Sequence, residues 1–262
     1  IADDIFAEIE ARREMEVQEA ARAAFGRGEI AEAEVRWADA AKHYTRASRL
    51  HPGFETLFKA VEFAQLSGDY EGAQRLSGDL LAVAQSNPDK GKLAKALDRQ
   101  ATVSWRKGCF EKADADFRQA LTWAEKVTGV ESSEYEQILN NLGINLKAQE
   151  RYAEAEEILR RALGICGKTA GKESPEYGIR LSNLALILKE QGKYAEAEKL
   201  MLEAIAVHEK SLGKKHPTYS TDLANLAGIY DAEGRFFEAK GIYLQVLELD
   251  LLSIGNLHPT MG

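Results

Sequence analysis

The chain has 262 residues, with 42 acidic against 34 basic side chains and a formal net charge of −8. That balance excludes general nucleic-acid binding, which requires a basic surface. No apolar run approaches the ~20 residues that cross a bilayer, and no charged-then-apolar leader is visible after Ile1.

Residues 3–25 read as one long helix, started by Asp3 and Asp4 and ended by Gly26 and Gly28. The stretch EIAEAEVRWADAAKHYTRASRLHP follows at 29–52. Aligned on AEAE, its Ile30 takes the place that Tyr152 holds later, which makes the stretch the second helix of a hairpin. Further second helices start at Tyr70, Phe110, Tyr152, Tyr194 and Phe236, giving steps of 40, 40, 42, 42 and 42 from Ile30. The remaining first helices are expected at 54–66, 91–107, 132–149, 174–191 and 217–233. Six hairpins then fill the chain as one body, at 3–50, 54–86, 91–128, 132–170, 174–212 and 217–254. Asn87-Pro88 with Asp89 marks one turn between them, and Gly129 with Ser132-Ser133 marks another. The last helix runs through Leu249, Leu251, Leu252 and Ile254 without a polar cap. Solenoid ends need capping, so the chain is expected to be a fragment whose seventh hairpin begins near Pro259.

The repeat is plainest in the second half. Asn141, Asn183 and Asn225 lie 42 residues apart, as do Tyr152, Tyr194 and Phe236, and Pro175, Pro217 and Pro259. A fixed period in this range marks a solenoid. Apolar stripes at helical spacing, such as Leu181, Leu184 and Leu188 and then Ala197, Leu200 and Ala204, need a neighbouring hairpin to bury them. Gly143, Ala185 and Ala227 share one small position, and Ala162, Ala204 and Val246 another, where helices must come close. Gly192 and Gly234 sit where a left-handed residue closes the first helix. His-Pro at 216–217 and 258–259 stops one helix and starts the next.

These motifs resemble the tetratricopeptide repeat, specifically the 42-residue kind of kinesin light chains and nephrocystin-3-like proteins. GKYAEAE, the alanine four residues into the second helix and the LGKKHP turn carry the resemblance over 131–259. It implies an all-α, right-handed superhelix in which first helices line a groove and second helices form the back. One groove position then holds Lys59, Arg99, Asn141, Asn183 and Asn225 in successive hairpins; another holds Glu55, Lys95, Gln137, Ile179 and Thr221.

An asparagine offers both donor and acceptor. Relatives of this fold use it here to hold the backbone of an extended peptide, so Asn141, Asn183 and Asn225 are candidates. The alternative is that these side chains bond neighbouring helices. Lys95 and Arg99 match the Lys/Arg pair, four apart, of carboxylate-clamp proteins; the clamp's asparagine on the preceding hairpin is here Lys59. With Arg106 and Arg22 they form a basic constellation suited to acidic side chains, or a set of charges partnered by Glu55, Glu62 and Asp98. Ile144, Ile179 and Leu186 either pocket an apolar side chain or pack on adjacent hairpins, the second being expected for Ile179. Trp37, Trp105 and Trp123 read mainly as packing, with Trp105, late on a first helix, the alternative candidate to border the groove.

No nucleophile, base or metal set converges, and no phosphate-binding glycine loop is present. His216, His258 and His51 belong to turns, while His43 and His208 lie on second helices without a second ligand. Cys109 and Cys166 lack paired metal spacing and read as free thiols of a reducing, cytoplasmic compartment. The expectation is a noncatalytic scaffold without cofactor or metal. It holds another protein through a short extended, acidic segment with one or two apolar anchors. The alternatives are a regulatory or sensor segment of a larger enzyme, and a self-assembly module that stacks through its C-terminal end.

Overall fold

The computed structural model describes residues 2–255, and the described residues contain twelve α-helices. They fall into two compact units, residues 1–127 and 128–262. The first unit holds α1 (Ala2–Ala33), α2 (Trp37–Leu50), α3 (Phe54–Leu66), α4 (Tyr70–Ser86), α5 (Lys90–Arg106) and α6 (Phe110–Val127). The second holds α7 (Ser133–Ala148), α8 (Tyr152–Thr169), α9 (Pro175–Glu190), α10 (Tyr194–Leu212), α11 (Pro217–Glu233) and α12 (Phe236–Gly255). Odd-numbered helices open each hairpin and even-numbered ones close it. The His258-Pro259 turn and the seventh hairpin expected there lie outside the described residues, as do the side chains of Asp3, Asp4, Leu252 and Ile254.

One device ends every first helix. A residue in the left-handed region, Val35, Gly68, Gly108, Glu150, Gly192 or Gly234, turns the chain. The next N–H then donates back to the carbonyl five residues earlier. Arg36 bonds Ala31 at 2.8 Å, Lys193 bonds Leu188 at 2.9 Å, and Arg235 bonds Tyr230 at 2.8 Å. This is the Schellman closure, and glycine fills it most cheaply because it lacks a Cβ. Serine caps open α7 and α9: Ser132 and Ser174 each accept from an N–H three residues on, at 3.2 Å. Pro175 and Pro217 stand at the first helical positions, where a missing N–H is harmless.

The N-terminal hairpin differs from its sequence reading. α1 does not stop at Gly26 and Gly28 but continues to Ala33, and the second helix starts at Trp37 rather than near Ile30. Gly28 serves packing instead of termination. A Cβ there would lie 2.6 Å from a ring carbon of Tyr44, so the glycine lets the fully buried tyrosine of α2 close onto α1. The helix ends at Val35, a β-branched residue held at φ 59°. From that residue the closing turns step by 33, 40, 42, 42 and 42 positions.

In the first unit Tyr44 packs among Ala31, Ala40, Ala60 and Phe63, with Phe25 at its edge. In the second, Cys166, Tyr177, Leu181 and Ala204 form one cluster. Leu142, Leu184 and Leu188 are fully enclosed, each worth about 1.5–3 kcal/mol of burial. The small position at Gly143 is a contact requirement, since a Cβ there would meet Leu159 at 2.6 Å.

Candidate protein-interaction surface

In the first unit, α3 and α5 carry the predicted cations. Lys59 Nζ lies 2.9 and 3.0 Å from the two carboxylate oxygens of Glu32 on α1, and 3.8 Å from Glu62. Tyr44 donates its hydroxyl to the same Glu32 at 2.6 Å. Hydrogen bonds from Lys59 and then Tyr44 hold the Glu32 carboxyl below its ordinary range, while burial pushes the Tyr44 phenol upward. Arg99 stacks its guanidinium 4.3 Å from the Phe58 ring centre and reaches Glu62 only at 3.9 Å. Lys95 and Arg106 are exposed; Arg106 lies 5.6 Å over the Trp105 ring. Among the described residues no carboxylate pairs with either.

The sequence reading named Glu62 as a partner but missed Glu32, because that residue had been assigned to a second helix. Three buried N–H donors on α3 and α5 have no acceptor within the protein: Gln65 Nε2, Arg99 Nε and Trp105 Nε1. Gln65 and Trp105 occupy one register position, three residues before Gly68 and Gly108.

In the second unit, Asn141, Asn183 and Asn225 are half-buried at the same register of α7, α9 and α11. They are not equivalent. Asn183 Nδ2 donates to Asn140 Oδ1 on α7 at 2.8 Å, and Asn140 in turn contacts Asn141 at 3.5 Å. The residue preceding Asn183 is Ser182, whose hydroxyl donates to Asp222 at 2.7 Å. Among the described residues Asn225 therefore keeps an amide without a protein partner. Ile144 and Leu186 are half-buried beside the asparagines, and Ile179, expected to pack on adjacent hairpins, is 40 % exposed.

Two buried links hold these first helices in place. Arg180 on α9 reaches back to Glu136 on α7, with Nε at 2.5 Å and Nη2 at 3.4 Å. Asp222 on α11 bonds Ser182 of α9 through one oxygen and His208 Nδ1 of α10 through the other, at 2.5 Å. His208 Nε2 sits 2.9 Å from the Pro175 carbonyl, so both ring nitrogens face oxygen acceptors. The sequence did carry a signal for both links. Ile138, Arg180 and Asp222 share one repeat position and break the pattern that their neighbours keep.

Cys109 and Cys166 are free thiols; burial pushes Cys166 up to about 11. Among the described residues no group of three or more His, Cys, Asp or Glu could hold a metal ion, and no helix is long and apolar enough to cross a membrane.

Stacked helical hairpins, with one polar, half-buried register on each of α3, α5, α7, α9 and α11, define an all-α repeat fold. The tetratricopeptide repeat profile matches residues 92–168 and 179–251, and the chain belongs to the tetratricopeptide repeat family. No curated protein sequence matches it. Among solved structures it is similar to BtubC (BKLC) from P. vanneervenii, with 22 % identity, TM-score 0.70, and coverage of 94 % of this chain and 95 % of that one. It is also similar to a kinesin-light-chain-type protein of nearly identical TPR-like repeats from Podosopora anserina, with 22 % identity, TM-score 0.63, and coverage of 75 % and 94 %. A Rap protein complexed with Competence and Sporulation Factor matches at 16 % identity and TM-score 0.62, covering 88 % of this chain and 75 % of that one.

Proposed function

We propose that the chain is a noncatalytic, cytoplasmic scaffold that holds a short extended segment of another protein along its first helices. The observation that carries this reading is Asn225 on α11, half-buried and with a side-chain amide that has no partner among the described residues. An asparagine amide offers both donor and acceptor, which suits the carbonyls and N–H groups of an extended backbone. Lys95 and Arg106 favour an acidic segment, because Lys59 is already matched by Glu32. Ile144 and Leu186 supply apolar seats beside the asparagines. The Rap protein solved with Competence and Sporulation Factor supports the reading at the level of fold.

Titration of labelled acidic peptides tests it. Asn225→Ala should weaken binding more than Asn183→Ala, whose amide is already engaged. Lys95→Glu with Arg106→Glu should weaken acidic ligands selectively and flatten the salt dependence. Equal affinity in all three variants would remove these helices from the account.

A second reading, self-association, is favoured by α12. Its Phe237 is 96 % exposed, with Leu244, Leu247 and Leu251 above half. Clustered exposed apolar residues mark interaction sites. Sedimentation at several concentrations, with Phe237→Glu as the control, tests this reading; a constant monomer mass would end it.

A further inference from the structure

The first unit carries a second surface, formed by α2 and α4, that the first-helix reading does not use. Two cavities of about 560 and 580 Å³ share Thr45, Arg49 and Asp69 and so form one trough. Its lining includes Pro52, Leu57, Leu76 and Val83 as apolar residues, together with Lys42, Arg46, Arg49 and Arg75. All four cations are exposed, and among the described residues none is paired with a carboxylate.

Arginines of two other second helices do have carboxylate partners. Arg118 sits 2.7 Å from Asp114, and Arg160 lies 2.9 and 2.6 Å from Glu156 and Glu196. In α2 the positions within helical reach of Arg46 and Arg49 hold Lys42, His43, Thr45, Leu50 and Pro52 rather than acids. Beside Arg75, Glu71 is drawn away to Lys107 at 2.8 Å. Two acids line the trough. Asp69 caps α4 by accepting from the Gly72 N–H at 2.8 Å, which leaves Asp79 as the local counter-charge. A cationic trough in a chain of net charge −8 is a local feature of sequence and not of overall balance.

We propose that this trough docks an acidic segment of a partner protein, with its carboxylates on the arginines and aliphatic side chains on the apolar lining. An extended segment projects alternate side chains to opposite sides, which suits charged and apolar lining placed together. Arginine grips carboxylates in a fork. The 14 residues of α2 span about 21 Å, room for about six extended residues. The apolar lining and the overall negative charge of the chain both disfavour a nucleic acid as the occupant.

The test is fluorescence anisotropy of the intact chain with a labelled peptide of about eight residues alternating glutamate and leucine. Arg46→Glu with Arg49→Glu should lower its affinity at least about tenfold, equivalent to ~1.4 kcal/mol. Lys199→Glu with Lys215→Glu, exposed charges of the second unit, should leave it within about twofold of the parent chain, a change below ~0.5 kcal/mol. Ala82→Tyr fills an exposed position of the trough without altering charge and should weaken binding by steric exclusion. Unchanged circular dichroism confirms that the variants fold. Retained affinity in the Arg46/Arg49 variant, equal loss in the Lys199/Lys215 variant, or tighter binding of a short RNA than of the peptide would each overturn the proposal.

Discussion

Removing the Asp222 carboxylate tests whether buried polar links, and not apolar packing alone, set the spacing of the first helices. In Asp222→Ala, Ser182 Oγ and His208 Nδ1 both lose their acceptor. His208, Asp222 and Ser182 are 0 %, 2 % and 7 % exposed, so water does not readily replace it. Each orphaned buried group costs about 1–3 kcal/mol. Two of them, with the small cavity left behind, predict a loss of ~3–5 kcal/mol, comparable to breaking a buried pair.

Asp222→Asn separates charge from hydrogen bonding. Its carbonyl still accepts from Ser182, and its amide can donate to Nδ1 of a ring that keeps its proton on Nε2, facing Pro175. A loss below about 1.5 kcal/mol is expected there, the size of an ordinary hydrogen bond. Urea unfolding followed by circular dichroism measures both, and native-state hydrogen exchange should show the alanine variant loosening α9 and α11 first. An alanine variant within about 1 kcal/mol of the parent, or an asparagine variant as damaged as alanine, would refute the reasoning.

Other expectations concern turns, close contacts and one carboxylate. Val35→Gly should stabilise the first hairpin by up to about 1 kcal/mol, because valine is strained at a left-handed position; thermal melts decide it, and a lower melting temperature would be contrary. Gly28→Ala drives a methyl into the Tyr44 ring and should cost about 1–3 kcal/mol, whereas Gly26→Ala, with nothing within 4 Å, should be neutral or stabilising. Glu156 is held down to about 2, first by the Lys193 hydrogen bond and also by Arg160 and Gln191. Its folded value lies below the ordinary 4.5, so its contribution is complete above that pH and is lost as pH falls toward about 2. Glu156→Gln should therefore destabilise at neutral pH by at most about 3 kcal/mol, and the gap from the parent chain should close in acid.

The repeat was legible because its determinants are local. Glycines or turn residues at a fixed step, serine or His-Pro at the next helix start, and alanines at close approaches all act within a few residues. α3 and α11 accordingly span the ranges read from sequence. The first hairpin was misread because AEAE at 31–34 imitates AEAE at 153–156 and 195–198. Gly28, needed by Tyr44, also mimics a stop signal. That single shift hid Glu32, and with it the neutralisation of Lys59.

The asparagine register was readable, but the difference among its members was not. Asn183 is occupied because its predecessor one hairpin back is flanked by Asn140; Asn225 is open because Ser182 has been taken by Asp222. Such differences depend on pairings some 40 residues apart in sequence, which periodicity averages away.

The central claim, that first helices present unpaired polar groups to an extended partner, can be read directly from asparagine side-chain amides by NMR. In a chain labelled with nitrogen-15 at asparagine, titration with an acidic extended peptide should shift the Asn225 amide pair saturably while Asn87, on the turn after α4, stays fixed. A motionless Asn225 signal in the presence of bound peptide would contradict the account.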